Sequence, residues 1–223
     1  MAERIKLHPE TPHQKRIFEI VDALKAESLL LLPTDSQYAL ACDYQNKSGI
    51  DRIRQIRKLG KEDHLTVMCE SLQHASTFAK IEDRNFKLIR RLTPGPFTFI
   101  LPATRETPRL LVHPKKKTVG IRIPDYPICL SLIGELNRPL LAITARLDDV
   151  DNGDPASADH RELFLSRFEH LVDVIIDDQQ ELSDRESTIV DLTGDQPELL
   201  REGPGMDRLL EAFSLEGEAL VRN

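Results

Sequence analysis

Short apolar runs alternate with amphipathic stretches along most of this chain of 223 residues. In "TPHQKRIFEIVDALKAES", the apolar side chains of Ile17, Val21 and Leu24 recur at helical spacing, and four consecutive leucines follow as a buried strand. Thr11 and Gln14 match a capping box, so we expect Thr11 to cap this first helix. Amphipathic helical segments and apolar strands continue to alternate, irregularly, along the rest of the chain. This alternation predicts an α/β fold in which helices flank a sheet of mixed parallel and antiparallel strands.

The length of the chain suits one large domain or two small ones. Apolar residues make up 40% of the sequence, which is enough for a sizeable core. An acidic, turn-rich stretch at residues 148–154 is the best candidate for a hinge, but the strands after it are too few to form a second core. We therefore expect a single domain over residues 1–223, with its core at about 11–205 and a closing helix at about 205–215.

The composition argues against several classes of protein. The formal net charge of −7 disfavours a dedicated nucleic-acid binder, although a local basic surface is compatible with it. The three cysteines lack metal-ligand spacing and the seven histidines form no HxxxH or HExxH pattern, so we predict buried free thiols and no zinc site. No segment approaches the roughly 20 apolar residues of a membrane helix, and "MAERIKLHPE" does not resemble a signal peptide. We expect a soluble cytoplasmic protein with no membrane partner.

Polar side chains stand beside apolar runs at four predicted strand ends. They are Thr34 with its neighbours Asp35 and Ser36, Arg122, Thr144 with Arg146, and Arg201. Ligand sites of open α/β sheets gather at strand ends, and the guanidinium of arginine presents a fixed fork of donors that matches a carboxylate or a phosphate. Because three of the four places contribute an arginine, the pattern favours an anionic ligand such as a nucleotide.

Each of these places also has a purely structural interpretation. Residues 34–36 could form a turn, and Arg122 could lie on the exposed face of a half-buried strand. Arg146 could form a surface ion pair with the acidic loop that follows it, and the basic run at residues 115–117 is typical of a solvated loop. The sequence contains neither GxxxxGK[ST] nor GxGxxG, and no Ser/His/Asp or Cys/His set can be justified, so we assign no catalytic residue.

Several of these residues belong to segments that resemble one family. "LLPTDSQYAL" is similar to the "PTDT-x-YGL" strand of the YrdC-like proteins, which include the threonylcarbamoyl-AMP synthases. The segments "TPGPFTFIL", "VGIRIPDYP", "PLLAITA", "STIVDL" and "LLREGPG" follow in the order expected for that family. The resemblance covers about residues 11–205. It implies a twisted, single-domain α/β fold of YrdC-like type with a large concave, positively lined cavity.

The resemblance also implies an activity. The synthases join ATP, L-threonine and bicarbonate into threonylcarbamoyl-AMP with release of pyrophosphate, and the product modifies an adenosine beside the tRNA anticodon. In such an enzyme Thr34 would contact L-threonine, and Arg122 would hold its carboxylate or a phosphate. Ser187 and Arg201 would lie near the nucleotide. Mg²⁺ would accompany ATP to offset the charge of the triphosphate, and no tightly bound cofactor is expected.

Two alternatives to this activity stay open. The first is a non-catalytic protein that binds tRNA or double-stranded RNA in translation or ribosome assembly. Its phosphate contacts would include Arg105, Arg109, Lys115, Lys116 and Lys117. The second is a protein that binds another nucleotide or carboxylate.

The chain departs from the synthases after the second predicted helix, where that family has a K-x-R pair. Arg57 stands in the place of the lysine and Leu59 in the place of the arginine. One phosphate-binding charge is therefore lost, unless Lys58 or Lys61 replaces it. A lost contact of this kind weakens binding roughly ten- to a hundredfold.

Two further departures lie in other segments of the resemblance. Thr144, Ala145 and Arg146 replace the S-A-N of the synthases, so a long cation stands where that family has a compact amide. Ala39 replaces the glycine of YGL. This pattern is similar to the YciO subgroup, and it is compatible with a weakened synthase as well as with an inactive relative.

Overall fold

The computed structural model describes residues 1–146, 160–217 and 220–222. The chain forms two compact units, and each unit combines two separate segments. Unit 1 consists of Met1–Gly60 and Tyr126–Asp184, and unit 2 consists of Lys61–Asp125 and Arg185–Asn223. Strands pair in both parallel and antiparallel directions within each unit, and helices pack beside them. These pairings confirm the predicted mixed α/β class.

The helices and strands alternate as the sequence pattern indicates. The strands of the described residues are β1 (Glu3–Lys6), β2 (Leu30–Leu32), β3 (Ala39–Asp43), β4 (Thr66–Met68), β5 (Phe97–Pro102), β6 (Thr118–Arg122), β7 (Leu140–Thr144), β8 (Val174–Asp177), β9 (Thr188–Asp191), β10 (Glu198–Arg201) and β11 (Val221–Arg222). The helices are α1 (Gln14–Lys25), α2 (Lys47–Ile56), α3 (Leu72–Phe78), α4 (Asp83–Leu92), α5 (Pro127–Leu136), α6 (His160–Phe168) and α7 (Met206–Glu216).

The sheet of unit 1 has the strand order β1-β8-β2-β3-β7. Strand β8 pairs in parallel with β1 and β2, whereas β3 pairs antiparallel with β2 and β7. The small polar break in "LLLLPTDSQYAL" is therefore the connection between two antiparallel strands, at residues 33–38, which we call the Thr34 turn. Every residue of β2 and β3 is buried, so both ends of this turn are anchored in the core of the unit.

Helix α1 packs against α5 and buries the predicted apolar face, including Ile17. Its predicted N-terminal cap is wrong. The helix begins at Gln14, and His13 is its N-cap residue. Thr11 lies in a bend before the helix. Nδ1 of His8 lies 3.2 Å from both the backbone nitrogen and Oγ1 of Thr11. Thr11 therefore belongs to the preceding turn, because its polar groups are held by His8.

The sheet of unit 2 has the strand order β4-β6-β5-β9-β10-β11. Its β5–β6 and β9–β10 pairs are antiparallel, and its β4–β6, β5–β9 and β10–β11 pairs are parallel. The rings of Phe97 and Phe99 stack in the core with centroids 6.3 Å apart. Strand β6 lies between two partner strands and beside α3, and all its residues are buried. The interpretation of Arg122 as half exposed is therefore wrong, because it is only 6% exposed.

Two helices of the second half of the chain form where local sequence favours them, through proline at the first turn or through apolar spacing. Helix α5 begins at Pro127 and buries Ile128, Leu132 and Leu136. Helix α7 matches the predicted closing helix. The candidate hinge at residues 148–154 lies outside the described residues. Within the described ranges, no helix combines the length and the apolar character needed to span a membrane.

Candidate functional site

The predicted site residues fall into two groups, one in each unit. Unit 1 contains Thr34, Arg57, Lys58, Thr144 and Arg146. Unit 2 contains Lys61, Arg122, Ser187 and Arg201. The cavity implied by the family resemblance stays a prediction, as does the role of each residue in binding.

The Thr34 turn is organised by the hydroxyl group of Thr34. This hydroxyl donates a hydrogen bond to the carbonyl oxygen of Gln37 at 2.7 Å and accepts one from the backbone N–H of Ser36 at 3.1 Å. The hydroxyl of Ser36 lies 3.2 Å away. Only 8% of Thr34 is exposed, so its hydroxyl is held in a fixed position at the edge of the sheet. The turn interpretation of these residues is thus correct, and it leaves their predicted role in binding open.

The end of β7 lies directly beside the Thr34 turn. Thr144 is paired with Ala39 in the antiparallel register, and the backbone N–H of Ala145 donates to the carbonyl of Tyr38 at 2.8 Å. Side chains at opposite positions of an antiparallel pair share one face of the sheet. Two of the departures from the synthases, Ala39 and Thr144, are therefore neighbours in space.

Arg57 joins the same edge of unit 1 from the end of α2. It is the first residue after the helix, and its Nη1 donates to the backbone carbonyl of Arg146 at 3.3 Å. Lys58 follows with a positive φ of 49°, so the chain turns sharply at this point. The backbone contacts at Tyr38 and Arg146 thus place four of the five predicted residues of unit 1 along one edge, namely Thr34, Arg57, Thr144 and Arg146.

A buried polar network, which the sequence did not indicate, contacts the Thr34 turn through its last residue, Tyr38. The carboxylate of Asp178 accepts a hydrogen bond from the hydroxyl of Tyr38 at 2.7 Å on one oxygen, and from the hydroxyl of Tyr126 at 2.5 Å on the other. Burial is the main cause that raises the pKa of both phenols, and the charge and hydrogen bond of Asp178 raise it further. Arg161 contacts Tyr38 and Asp178 at 3.2 and 3.3 Å and also pairs with Asp177.

The adjacent Asp177 is held in its ionised form by two arginines. It is 1% exposed, forms an ion pair with Arg161, and lies 2.8 Å from a guanidinium nitrogen of Arg4. Burial alone would raise the pKa of Asp177. The hydrogen bonds from the guanidinium groups outweigh burial and hold the pKa of Asp177 below its usual value.

Replacing Asp177 with asparagine is expected to reduce the fall in the free energy of unfolding that the wild type shows at acid pH. Because the pKa is lower in the folded state, the ionised carboxylate stabilises the protein above about pH 4, and this contribution is lost as the pH falls through the folded pKa. Urea unfolding at several pH values between about 7 and about 3 measures the effect. Asp51→Asn, an exposed change on α2, is the control. Parallel curves for Asp177→Asn and the wild type would contradict the prediction.

In unit 2, a chain of hydrogen bonds joins two predicted residues, Arg201 and Ser187, to two others, Glu186 and Thr98. Arg201 donates from Nε to the carbonyl of Ser187 at 2.9 Å and from Nη2 to its hydroxyl at 3.0 Å, and it pairs with the carboxylate of Glu186. The hydroxyl of Ser187 lies 3.0 Å from that of Thr98 on β5. Ser187 and Thr98 are each 4% exposed. The sequence pattern identified Arg201 and Ser187 but not Thr98.

Arg122 lies on the same face of the sheet as this chain. Strands β5 and β6 pair antiparallel with Phe99 opposite Ile121. One residue further along each strand, Thr98 and Arg122 therefore point to a common face, opposite to that of Phe99. Unit 2 thus brings together three predicted residues and Thr98, whereas its fourth predicted residue, Lys61, is exposed and outside any strand or helix.

A second feature of unit 2 is an open basic groove of about 650 Å³. It is lined by Thr104, Arg105, Thr107, Arg109, Val112, Pro114 and Lys117. Arg105 and Arg109 are exposed, and neither forms an ion pair with any residue that the structure describes. Lys115 differs, because its ammonium lies 2.5 Å from the carboxylate of Glu62. The basic run is therefore exposed, as a solvated loop would be, and part of it borders the groove.

The thiol groups of the chain are buried, as predicted. Cys42, Cys69 and Cys129 are all free and inaccessible. Burial raises the pKa of the first two to about 12, so they are protonated and unreactive at neutral pH. Among the described residues, no group of three or more His, Cys, Asp or Glu side chains is arranged to hold a metal ion.

The sequence model of one family matches most of the chain. It is the Sua5/YciO/YrdC family, described as "Telomere recombination", and the match covers residues 22–203. An uncharacterised protein of Haemophilus influenzae is 39% identical over 92% of this chain and 97% of its own length. YciO of Escherichia coli is 36% identical with the same coverage, and its crystal structure superposes with a TM-score of 0.83. These findings confirm the predicted resemblance and its YciO-like character.

A more distant relative has a named activity. A threonylcarbamoyl-AMP synthase of Pyrococcus abyssi is 29% identical to this chain. The matched region covers 81% of this chain and 52% of that protein. A crystal structure of Sua5 from P. abyssi in complex with L-threonine is 27% identical and has a TM-score of 0.79. That superposition covers 99% of this chain and 62% of the other.

Proposed function

Because the chain belongs to the Sua5/YciO/YrdC family, we propose that it is an ATP-dependent enzyme of the threonylcarbamoyl-AMP synthase type. It would join L-threonine, bicarbonate and ATP, and its product would serve tRNA modification in the cytoplasm. The similarity to the synthase of P. abyssi supports the reaction class. The single observation that carries the proposal is the buried Arg122, which shares a sheet face with the Thr98–Ser187–Arg201 chain.

The proposed reaction requires anions to be positioned but no covalent nucleophile. The amine of L-threonine adds to the carbon of bicarbonate with loss of water and forms a carbamate. A carbamate oxygen then bonds to the α-phosphorus of ATP, the bond from that phosphorus to the bridging oxygen breaks, and pyrophosphate leaves. Positioning and neutralisation of charge are the main contributions that a protein makes to such a transfer.

The residues of unit 2 suit the anionic partners of this reaction. A buried guanidinium such as that of Arg122 favours a carboxylate or phosphate, because it loses little hydration and presents several donors. Arg201 and Ser187 add donors on the same face. Since these groups are cations and hydroxyls, Mg²⁺ would arrive with ATP as part of the substrate. In unit 1, Thr34 would contact L-threonine from its buried turn.

The departures from the synthases make weakened activity part of the proposal. Leu59 cannot contact a phosphate, and the backbone carbonyl of Arg146 binds Arg57, which replaces the lysine of the family. Ala39 adds a methyl group directly opposite Thr144. Lys58 and Lys61 are the remaining cations close in sequence to the lost arginine. We therefore expect slower turnover than in a synthase with the full set of residues.

The direct test is to incubate the purified protein with ATP, L-threonine and bicarbonate and to measure pyrophosphate. Thr34→Ala is expected to lower the rate about tenfold or more, because it removes the hydroxyl that organises the turn. Thr11→Ala, the same change at an exposed position, is the matched control. Release of pyrophosphate by the wild type at no more than the rate of Thr34→Ala would reject the proposal.

A second candidate function, binding of tRNA or double-stranded RNA, is favoured by the basic groove. Its arginines have no carboxylate partner in the described structure and are exposed to bind phosphates. Replacing both Arg105 and Arg109 with glutamine is expected to weaken binding of a duplex RNA and to lower the dependence of its affinity on salt, since each lost phosphate contact removes released counterions. Arg90→Gln, at an exposed position of α4 that does not line the groove, is the control. Fluorescence anisotropy across a salt series measures the effect, and absence of binding at low salt would exclude this function.

A further inference from the structure

The Thr34 turn is held from three directions within unit 1. Sγ of Cys129, on α5, donates to the carbonyl of Pro33 at 3.3 Å at the start of the turn. At its end, the backbone of Tyr38 accepts from Ala145, after β7. The side chain of Tyr38 extends away to Asp178, directly after β8. The conformation of the turn thus depends on groups that follow in the chain by more than 90 residues.

The carboxylate of Asp178 is placed where it can hold two elements at once. One oxygen accepts from Tyr38, the last residue of the turn, and the other from Tyr126, the N-cap residue of α5. The backbone N–H of Gln180 also donates to it, at 3.2 Å. Asp178 and Tyr38 are each 5% exposed, so water has little access to the bond between them, whereas Tyr126 is half-buried. Hydrogen bonds to a buried carboxylate are stronger than those between neutral groups.

We propose that Asp178 is a positioning residue, which clamps Tyr38 to Tyr126 and thereby fixes the Thr34 turn in the conformation that binds L-threonine. This inference rests on the proposed function for the identity of the ligand. Asp178 itself would not touch the substrate. It acts through the two phenols, and Arg161 balances its charge at 3.3 Å.

The clamp predicts a graded response to substitution at Asp178. A carboxylate has two acceptor oxygens, whereas the amide of asparagine has one acceptor oxygen and an NH₂ group that cannot accept from a phenol. Asp178→Asn can therefore keep one of the two bonds, and it can replace the other only by donating an N–H to the phenol oxygen, a weaker bond between neutral groups, whereas Asp178→Ala keeps neither. We expect KM for L-threonine to rise about tenfold in Asp178→Asn and further in Asp178→Ala, with a smaller change in kcat.

Asp43 provides a matched control for the loss of a buried charge. It is 4% exposed, lies in the same unit, and pairs with Arg138 at 2.7 Å. Within the described structure its carboxylate bonds to Gln45 and Arg138 and makes no contact with the Thr34 turn, and it has no proposed role in binding. Asp43→Asn should lower the melting temperature as Asp178→Asn does, but it should leave KM for L-threonine unchanged. A role of Asp178 in stability alone would make the two variants behave alike.

A second measurement tests the clamp without using activity. The backbone N–H of Ser36 is bonded to Thr34 inside the turn, so its hydrogen exchange reports whether the turn is fixed. We expect exchange at Ser36 to be about tenfold faster in Asp178→Asn, and faster in Tyr38→Phe and Tyr126→Phe, but unchanged in Asp43→Asn. The double variant Tyr38→Phe/Tyr126→Phe should show less than the summed effect, because both bonds act through one carboxylate.

The outcomes separate the clamp from the proposed function. If the wild type releases no pyrophosphate, the proposed function fails, and exchange at Ser36 alone decides the clamp. If the wild type is active but Asp178→Asn matches Asp43→Asn in both KM and exchange, the clamp is overturned. Faster exchange at Ser36 together with a raised KM for L-threonine supports both.

Discussion

Replacing Gly203 with alanine is expected to destabilise unit 2 by about 3 kcal/mol or more, the largest effect on stability that we predict for a single methyl group. A Cβ atom at this position would overlap the carbonyl oxygen of Glu186 and would lie 2.8 Å from the backbone nitrogen of Thr188. Both atoms belong to the backbone, so the strand itself would have to move. The same strain would displace Ser187 and Arg201, and we expect any synthase activity to fall with stability.

The matched control for this prediction is Gly194→Ala, in the same unit. There the atoms nearest to an added Cβ belong to the backbone of Gln196, at 3.5 and 4.0 Å, which is ordinary van der Waals contact. Its effect should stay within about 1 kcal/mol. Urea unfolding followed by circular dichroism measures both variants. Equal midpoints for Gly203→Ala and Gly194→Ala would show that the backbone around Gly203 is not closely packed.

Replacing Arg122 with methionine is expected to have the largest effect on the proposed activity. Methionine keeps an apolar stem on the buried strand β6 but removes the guanidinium. The loss of a buried charged contact to a carboxylate or phosphate is expected to lower kcat/KM by about ten- to a hundredfold. Lysine should restore part of the activity only, because a single ammonium cannot reproduce the fork of donors.

Arg84→Met is the control for the Arg122 variants. Arg84 also lies in unit 2, but it is exposed and donates to the backbone carbonyls of Gly194 and Asp195. We expect it to keep the wild-type rate of pyrophosphate release. A melting temperature measured for each variant separates a loss of binding from a loss of folding. If Arg122→Met folds normally and remains as active as Arg84→Met, Arg122 has no part in the reaction.

Features that depend on neighbouring residues could be predicted from the sequence. The apolar face of α1 and the start of α5 at Pro127 follow from side chains within one or two helical turns. Thr11 was misassigned because the capping box ignores competing partners, and here His8 binds its polar groups. Strand β1 was missed because it has four residues, of which Ile5 alone is buried.

Features that depend on distant residues could not be predicted in the same way. Tyr38 and Tyr126 meet the carboxylate of Asp178 across 140 and 52 residues of sequence, and no local pattern connects them. Alternation along β6 suggested an exposed Arg122, but every residue of this strand is buried and Arg122 is only 6% exposed. The residues around Thr98 in the sequence likewise give no sign of its contact with Ser187. Burial and pairing of polar groups were thus the information that the sequence lacked.

The interleaving of the two units along the chain has a consequence for the order in which the protein can fold during its synthesis. Strand β8 lies between β1 and β2, although both of these strands leave the ribosome more than a hundred residues earlier. In the growing chain, β1 and β2 therefore lack their partner β8 until the whole first segment of unit 2 has been synthesised. Gene fragments that stop before residue 174 would lack the strand that joins the first two, so neither unit can be expressed as a simple truncation.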